Sequence, residues 1–156
     1  MFLLIILTII TFIMSARAFL VVIGAYKDPL LASFEHYGEE QVFSPLLALI
    51  IWTTAFIYMS LYWYIDPVVV FLLGIFVILP IAFVYQFSNR WLYDRREWLL
   101  QYPRWYHQLI ENTDREERRR IAYLWLFLPP STRMVYNANT ALFWQWVEQV
   151  LLTVAQ

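Results

Sequence analysis

Residues 2–25, FLLIILTIITFIMSARAFLVVIGA, form an apolar run in which Arg17 is the sole charged residue. An α-helix rises about 1.5 Å per residue, so about 20 residues cross a hydrocarbon core of about 30 Å. Two further apolar stretches of similar length follow, at residues 44–64 and 67–87. The sequence therefore predicts three transmembrane helices, the first an anchor and the other two a pair.

The composition supports a membrane protein and excludes several other classes. Hydrophobic residues make up 62% of the 156 residues and charged residues 15%, against about 45–50% and about 25% in soluble domains. Cysteine is absent from the sequence, which excludes thiolate metal sites and thiol catalysis. The 11 basic and 12 acidic residues nearly cancel, so no field attracts nucleic acid.

The second and third stretches begin with helix-start signals. Ser44-Pro45 and Asp66-Pro67 each place a capping side chain before a proline, whose missing N–H costs nothing in the first helical turn. Because a tight turn at Asp66 separates the two stretches, we expect an antiparallel hairpin. Pro80 predicts a kink in the third stretch, since its ring removes a backbone hydrogen bond.

The first stretch has an alternative interpretation as a cleaved signal peptide. Ala16-Arg17-Ala18 has the small-x-small pattern of a cleavage site. However, no positive charge precedes the apolar run, as a signal peptide requires. We therefore expect a retained anchor.

The arginines predict the orientation, because the cytoplasmic side of a membrane protein is richer in basic residues. The turn at Asp66 contains none, whereas arginines recur from Arg90 to Arg120. We expect the N-terminus outside and the C-terminus in the cytoplasm, in a bacterial inner membrane or its equivalent.

Residues 88–156 predict amphipathic helices at the membrane surface rather than further spans. Thr113 and Glu116 have the spacing of a capping box, which would begin one such helix. Another is expected over residues 140–155, which are too few and too polar for a favourable span. The predicted organisation is therefore a transmembrane region, 1–87, followed by an interfacial helical region on the cytoplasmic side.

Few residues have the chemistry of a catalytic or cofactor site. Glu35, His36, Glu39 and His107 include the ligand types of iron, manganese or zinc. Carboxylate-bridged metal bundles need a Glu-x-x-His on each of two helices, and this sequence instead has a single His-x-x-Glu. We expect a solvated acidic loop, no bound cofactor or metal, and no catalytic residue.

The expected function is that of a non-catalytic accessory or structural subunit in a multi-subunit membrane complex. An energy-converting assembly, respiratory or photosynthetic, is the class expected on general grounds. The expected partners are other integral membrane subunits and phospholipids, with no nucleic acid and no small-molecule substrate. The residues expected to contact partners or lipid are arginines near the membrane and apolar residues of the last helix: Arg17, Arg95, Arg96, Arg118, Arg119, Trp144, Trp146, Val150 and Leu151.

Two alternatives stay open at this point. The first is a homo-oligomeric transporter or channel, with Pro80 as a hinge and Arg17 as its charged site, because intramembrane charges often mark function. The second is a membrane-bound metal enzyme that uses the four ligand-type residues named above.

Overall fold

The computed structural model describes residues 2–36, 45–76 and 102–153. The secondary structure of these residues is helical, with no strand among them, so the prediction of an all-helical fold is confirmed for this part of the chain. The helices, numbered in chain order, are α1 Phe2–Val22, α2 Asp28–His36, α3 Pro45–Leu61, α4 Pro67–Phe76, α5 Arg104–Asn112, α6 Arg115–Phe127, α7 Pro130–Ala138 and α8 Thr140–Leu152.

The chain divides into two compact units. The first, called the N-terminal unit, comprises residues 1–19 and 44–101. The second, called the C-terminal unit, comprises residues 20–43 and 102–156. Residues 20–43 thus group with the C-terminal part of the chain, although they precede two of the predicted spans.

Helix α1 is long and apolar enough to cross a membrane. Its 21 residues have a mean hydropathy of 2.4 over the best window and extend about 31 Å at 1.5 Å per residue. Large apolar side chains such as Phe2, Ile9 and Ile13 are exposed. A membrane anchor and an N-terminal signal sequence both have these properties.

The structure does not show three membrane-spanning helices. Helix α3 has 17 residues, about 25 Å, and among the described residues only α1 has both the length and the hydropathy of a span. Helix α4 is described as far as Phe76, so Pro80 and the rest of the third predicted span lie outside the described residues.

The turn between α3 and α4 has the predicted start signal. The carboxylate of Asp66 accepts a hydrogen bond from the Val68 N–H at 2.8 Å. The two helices then meet where Gly74 faces Tyr58, because a Cβ at Gly74 would overlap the Tyr58 ring. Residues 58 and 74 lie eight positions on either side of Asp66, so α3 and α4 form the expected antiparallel hairpin.

The C-terminal unit surrounds an aromatic core. Helix α2 packs along α6, and α8 packs against both α6 and α7. The buried side chains of this core come from all parts of the unit: Val21, Leu30, Leu31, Phe34, Trp105, Tyr106, Leu109, Ile121, Ala122, Trp125, Phe143, Trp146, Val147 and Val150.

The capping box of α6 differs from the predicted one by one residue. Asp114, not Thr113, is the N-cap: its carboxylate accepts from the Glu117 N–H at 2.8 Å, and Glu117 accepts from the Asp114 N–H at 2.9 Å. Thr113 instead donates its hydroxyl to the Leu109 carbonyl, at the end of α5. The sequence TDREE fits a capping box with either Thr113 or Asp114 as the N-cap. Because the Thr113 hydroxyl is bonded to α5, Asp114 is the N-cap.

Candidate functional site

The most polar buried site of the described residues lies in the C-terminal unit, where the chain passes from α1 into α2. Gly24 makes the turn with φ +82°, a left-handed backbone conformation that residues other than glycine rarely adopt. Beyond it come Lys27 and Asp28, and Asp28 begins α2.

Lys27 is fully buried. Its ammonium Nζ donates to the carbonyls of Tyr136 and Asn137, both at 3.1 Å, and lies 5.7 and 5.4 Å from the ring centroids of Trp105 and Phe143. Burial lowers the pKa of Lys27, and the neighbouring Asp28 carboxylate opposes that effect. Because the two carbonyls belong to the last turn of α7, the cation stabilises the negative end of that helix.

Asp28 joins the start of α2 to α6 and α7. Its carboxylate accepts from the indole N–H of Trp125 at 2.8 Å and from the Asn137 amide at 3.4 Å. It also forms an ion pair with Arg133 at 3.4 Å. Asn137 in turn accepts from the Lys27 backbone N–H at 2.9 Å, which closes the network.

A second buried cation, Arg118, has a similar role. Its guanidinium donates to the carbonyls of Thr113 and, at 3.4 Å, Ile110, at the end of α5. It also lies 5.8 Å from the ring of Phe34 in α2. Burial lowers the pKa of Arg118. Lys27 and Arg118 therefore both neutralise a helix C-terminus inside the unit.

An open groove of about 650 Å³ lies beside this network. Its lining combines apolar and polar side chains: Leu20, Ile23, Gly24, Ala25, Tyr26, Met134, Asn137, Ala138 and Thr140. Lys27 does not line the groove, since its contacts with α7 and the two rings bury it completely. A molecule in the groove would therefore reach the Asn137 amide but not the ammonium.

The arrangement is suited to holding helices together rather than to reaction chemistry. A nucleophilic lysine or a general-acid carboxylate must contact its substrate. The Lys27 ammonium is enclosed, and the Asp28 carboxylate is occupied by three donors.

The described residues do not form the possible metal site. Glu35 is half-buried at the end of α2, His36 and His107 are exposed, and Glu39 lies outside the described residues. Within the described ranges, no group of three or more histidine, aspartate or glutamate side chains could hold a metal ion.

The expected contact residues have varied locations. Arg17 and Arg119 are exposed, Trp144 and Leu151 are half-buried, and Arg95 and Arg96 lie outside the described residues. Arg118, Trp146 and Val150 are buried within the C-terminal unit. These three side chains are therefore shielded from solvent by other residues of the same chain, and this shielding needs no partner. Partner contact at the other described positions stays a prediction.

Sequence reasoning missed the Lys27–Asp28 network, although a signal for part of it was present. Asp28-Pro29 repeats the pattern of Asp66-Pro67 and would have predicted the start of α2. The partners Trp125 and Asn137 lie about a hundred residues further along the chain, and no local pattern indicates such long-range pairs.

Comparison of the chain with protein-family models, curated proteins and solved structures gives no match.

Proposed function

We propose that the protein is an integral membrane chain that acts as a non-catalytic accessory subunit of a multi-subunit membrane complex. In this proposal α1, the α3 segment and the α4 segment cross the bilayer, with the N-terminus outside and the C-terminal unit on the cytoplasmic side. The observation that carries the proposal is the distribution of side chains in the described part of the N-terminal unit, where small, hydroxyl and valine side chains are buried and many large apolar side chains are exposed.

Helix α1 contributes small and hydroxyl side chains to the inside of this unit. Thr11 and Ala18 are buried, and Ser15 exchanges a hydrogen bond of 2.8 Å with Thr53 of α3. The hydroxyl of Thr11 also bonds to the Leu7 carbonyl of its own helix. Small residues and interhelical hydroxyl bonds at helix contacts are typical of membrane proteins.

The outside of the unit is apolar over most of the circumference of α1. Exposed side chains include Leu3, Ile5, Ile9, Ile10, Phe12 and Ile13. Leaving such side chains in water would cost about 1.5–3 kcal/mol for each one that lipid or protein would otherwise bury. This surface therefore favours an environment of lipid chains and neighbouring transmembrane helices.

The polar groups of the C-terminal unit support the non-catalytic part of the proposal. Lys27, Asp28 and Arg118 are committed to contacts between helices of their own unit. A unit that uses its buried charges for internal cohesion is a suitable rigid attachment for other subunits.

Photocrosslinking along α1 in native membranes tests the proposal. A photoreactive amino acid is placed singly at Leu3, Ile5, Ile9 and Ile13, and the complex is isolated in mild detergent. A subunit contact predicts protein adducts at positions on one face of α1 and lipid adducts at the others. The matched control at buried Thr11 should crosslink within the chain.

The result also separates the alternatives. Adducts to a different membrane protein, in constant ratio to it, support the accessory role. Adducts solely between copies of this chain would favour the homo-oligomeric transporter, and lipid adducts on every face would refute subunit contact through α1.

A further inference from the structure

We propose that the exposed side of α6 binds the anionic surface of the bilayer, with its last turn inserted into the headgroup region. The surface, called the α6 ridge, consists of Arg119, Arg120, Tyr123, Leu124 and Phe127. The proposal rests on the membrane location given under the proposed function, but not on the accessory-subunit role.

The ridge is the side of α6 that the core leaves uncovered. Arg118, Ile121, Ala122 and Trp125 are buried in the core of the unit. The side chains on the opposite side are exposed, among them Tyr123 at 49% and Phe127 at 69%. An exposed large apolar patch, unlike a single exposed leucine, requires an explanation.

The apolar part of the ridge has the residue types of a membrane interface. Tyr123 and Phe127 are one turn apart and their ring centroids lie 4.7 Å from each other, so they form one continuous aromatic surface. Leu124 lies beside them and is 37% exposed. Aromatic rings of this kind are enriched where a protein meets the headgroups of a bilayer.

The charged part of the ridge complements an anionic surface. Arg115, Arg119 and Arg120 are exposed, and their guanidinium groups suit phosphate oxygens geometrically. The acidic residues Asp114, Glu116 and Glu117 all lie at the N-terminal start of the helix, so Arg119 and Arg120 are the charges nearest the apolar part of the ridge. The part of the ridge next to the aromatic rings is therefore positively charged.

The spacing of the two parts matches the depth of a membrane interface. Seven residues separate Arg120 from Phe127, which is about 10 Å along the helix axis. Interfacial segments bury their apolar groups about 5–10 Å into the boundary between headgroups and acyl chains. A tilted α6 thus places its arginines beside the lipid phosphates while Phe127 reaches the acyl boundary. A protein partner would not require this spacing between charged and apolar groups, whereas a bilayer interface does. We therefore favour the bilayer as the occupant.

Spin labels test the insertion, since the chain has no cysteine and single cysteines can be introduced without background. The purified full chain, with Leu124→Cys labelled, is reconstituted into vesicles of phosphatidylcholine alone or of phosphatidylcholine with phosphatidylglycerol. Collision rates with oxygen and with a water-soluble nickel complex are measured. Labels at Ile9 and Gln145, both exposed, are the references for α1 and for another surface of the C-terminal unit.

The proposal predicts that phosphatidylglycerol raises oxygen collisions and abolishes nickel collisions at position 124, with no such change at position 145. Arg119→Glu with Arg120→Glu should reverse the shift, Arg119→Lys with Arg120→Lys should largely keep it, and high salt should weaken it. Nickel access at 124 in both kinds of vesicle would overturn the inference and leave the ridge to a partner protein. Oxygen access at 124 without dependence on phosphatidylglycerol would overturn its electrostatic part.

The reference at Ile9 distinguishes the two proposals. If Ile9 is accessible to oxygen while position 124 stays in water, the ridge inference fails and the membrane location stands. If Ile9 is accessible to the nickel complex, the membrane location itself fails.

Discussion

The two units of the chain differ in the large apolar side chains, which are mostly exposed in the described N-terminal unit and mostly buried in the C-terminal unit. In the N-terminal unit Thr11 and Ala18 are inside while Ile9 and Phe12 are outside. In the C-terminal unit the inside is mostly aromatic and aliphatic, with Lys27 and Arg118 buried as well, and other charged side chains such as Arg119 are outside. Under the membrane location proposed above, the N-terminal unit folds in lipid and the C-terminal unit folds in water. In lipid the burial of apolar side chains would bring little gain, so interhelical contacts such as the Ser15–Thr53 hydrogen bond would matter more. In water the burial of apolar side chains would stabilise the core of the second unit.

The largest predicted loss of stability is at Trp125. Trp125→Ala removes a fully buried indole and the 2.8 Å hydrogen bond to Asp28, which should destabilise the C-terminal unit by about 3–5 kcal/mol. Ile9→Ala, the control in the N-terminal unit, should change stability by less than about 0.5 kcal/mol because Ile9 is exposed. Denaturation in detergent followed by circular dichroism measures both, and equal losses would contradict the comparison.

Gly24 is the next most sensitive position. Gly24→Ala forces a Cβ onto a residue with φ +82° and brings it to 3.2 Å from Pro103, which should cost about 1–3 kcal/mol. Ala25→Gly, one residue further, is the control and should cost much less, since Ala25 is exposed. The midpoint of denaturation of each variant measures these two losses of stability. A Gly24→Ala midpoint equal to that of the wild type would mean that the turn does not constrain the unit.

Lys27 predicts a pH dependence. Burial lowers its pKa in the folded chain below the ordinary value of 10.5, so between these two values the unfolded chain binds a proton that the folded chain has released. The free energy of unfolding should therefore rise with pH across that window. In Lys27→Met this rise should be absent, although the variant loses stability overall because two carbonyls lose their donor. Parallel pH slopes for wild type and variant would show that Lys27 is not desolvated.

The smallest predicted effect concerns the start of α6. Asp114→Ala should destabilise the unit by about 1 kcal/mol, because the N-cap loses its acceptor for the Glu117 N–H. Glu116→Ala, which would be the damaging change in the register predicted from the sequence, should shift stability by no more than a few tenths of a kcal/mol. Thermal denaturation of the two variants separates the registers, and a larger loss for Glu116→Ala would favour the sequence-based one.

The parts of the fold that the sequence predicts are those marked by local chemistry. Long apolar runs predict α1 and the hairpin, and Asp66-Pro67 predicts the start of α4. The short helices α2, α5 and α7 were not predicted, since nine residues give a weak periodic signal. Their stability comes from tertiary packing rather than from propensity.

The candidate site was harder to predict than the fold. The apolar arc of α8 indicates that Trp146 and Val150 must be covered, but the sequence does not say by what. The structure covers them with the unit's own core. Likewise, Arg118 belongs to the run RRR at residues 118–120, for which the sequence predicts exposed charges. The packing of α6 instead places Arg118 against the end of α5. Distant contacts, not residue types, decide these roles.

The proposed topology is tested by determining on which side of the membrane two introduced cysteines lie. Tyr64, at 86% exposure in the turn of the N-terminal unit, and Asn112, exposed at the end of α5 in the C-terminal unit, are replaced singly by cysteine. Intact cells are then treated with an impermeant thiol reagent. The proposed topology predicts labelling of Tyr64→Cys from outside and of Asn112→Cys only after the membrane is opened. Labelling of Asn112→Cys in intact cells, or of both variants from the same side, would contradict it.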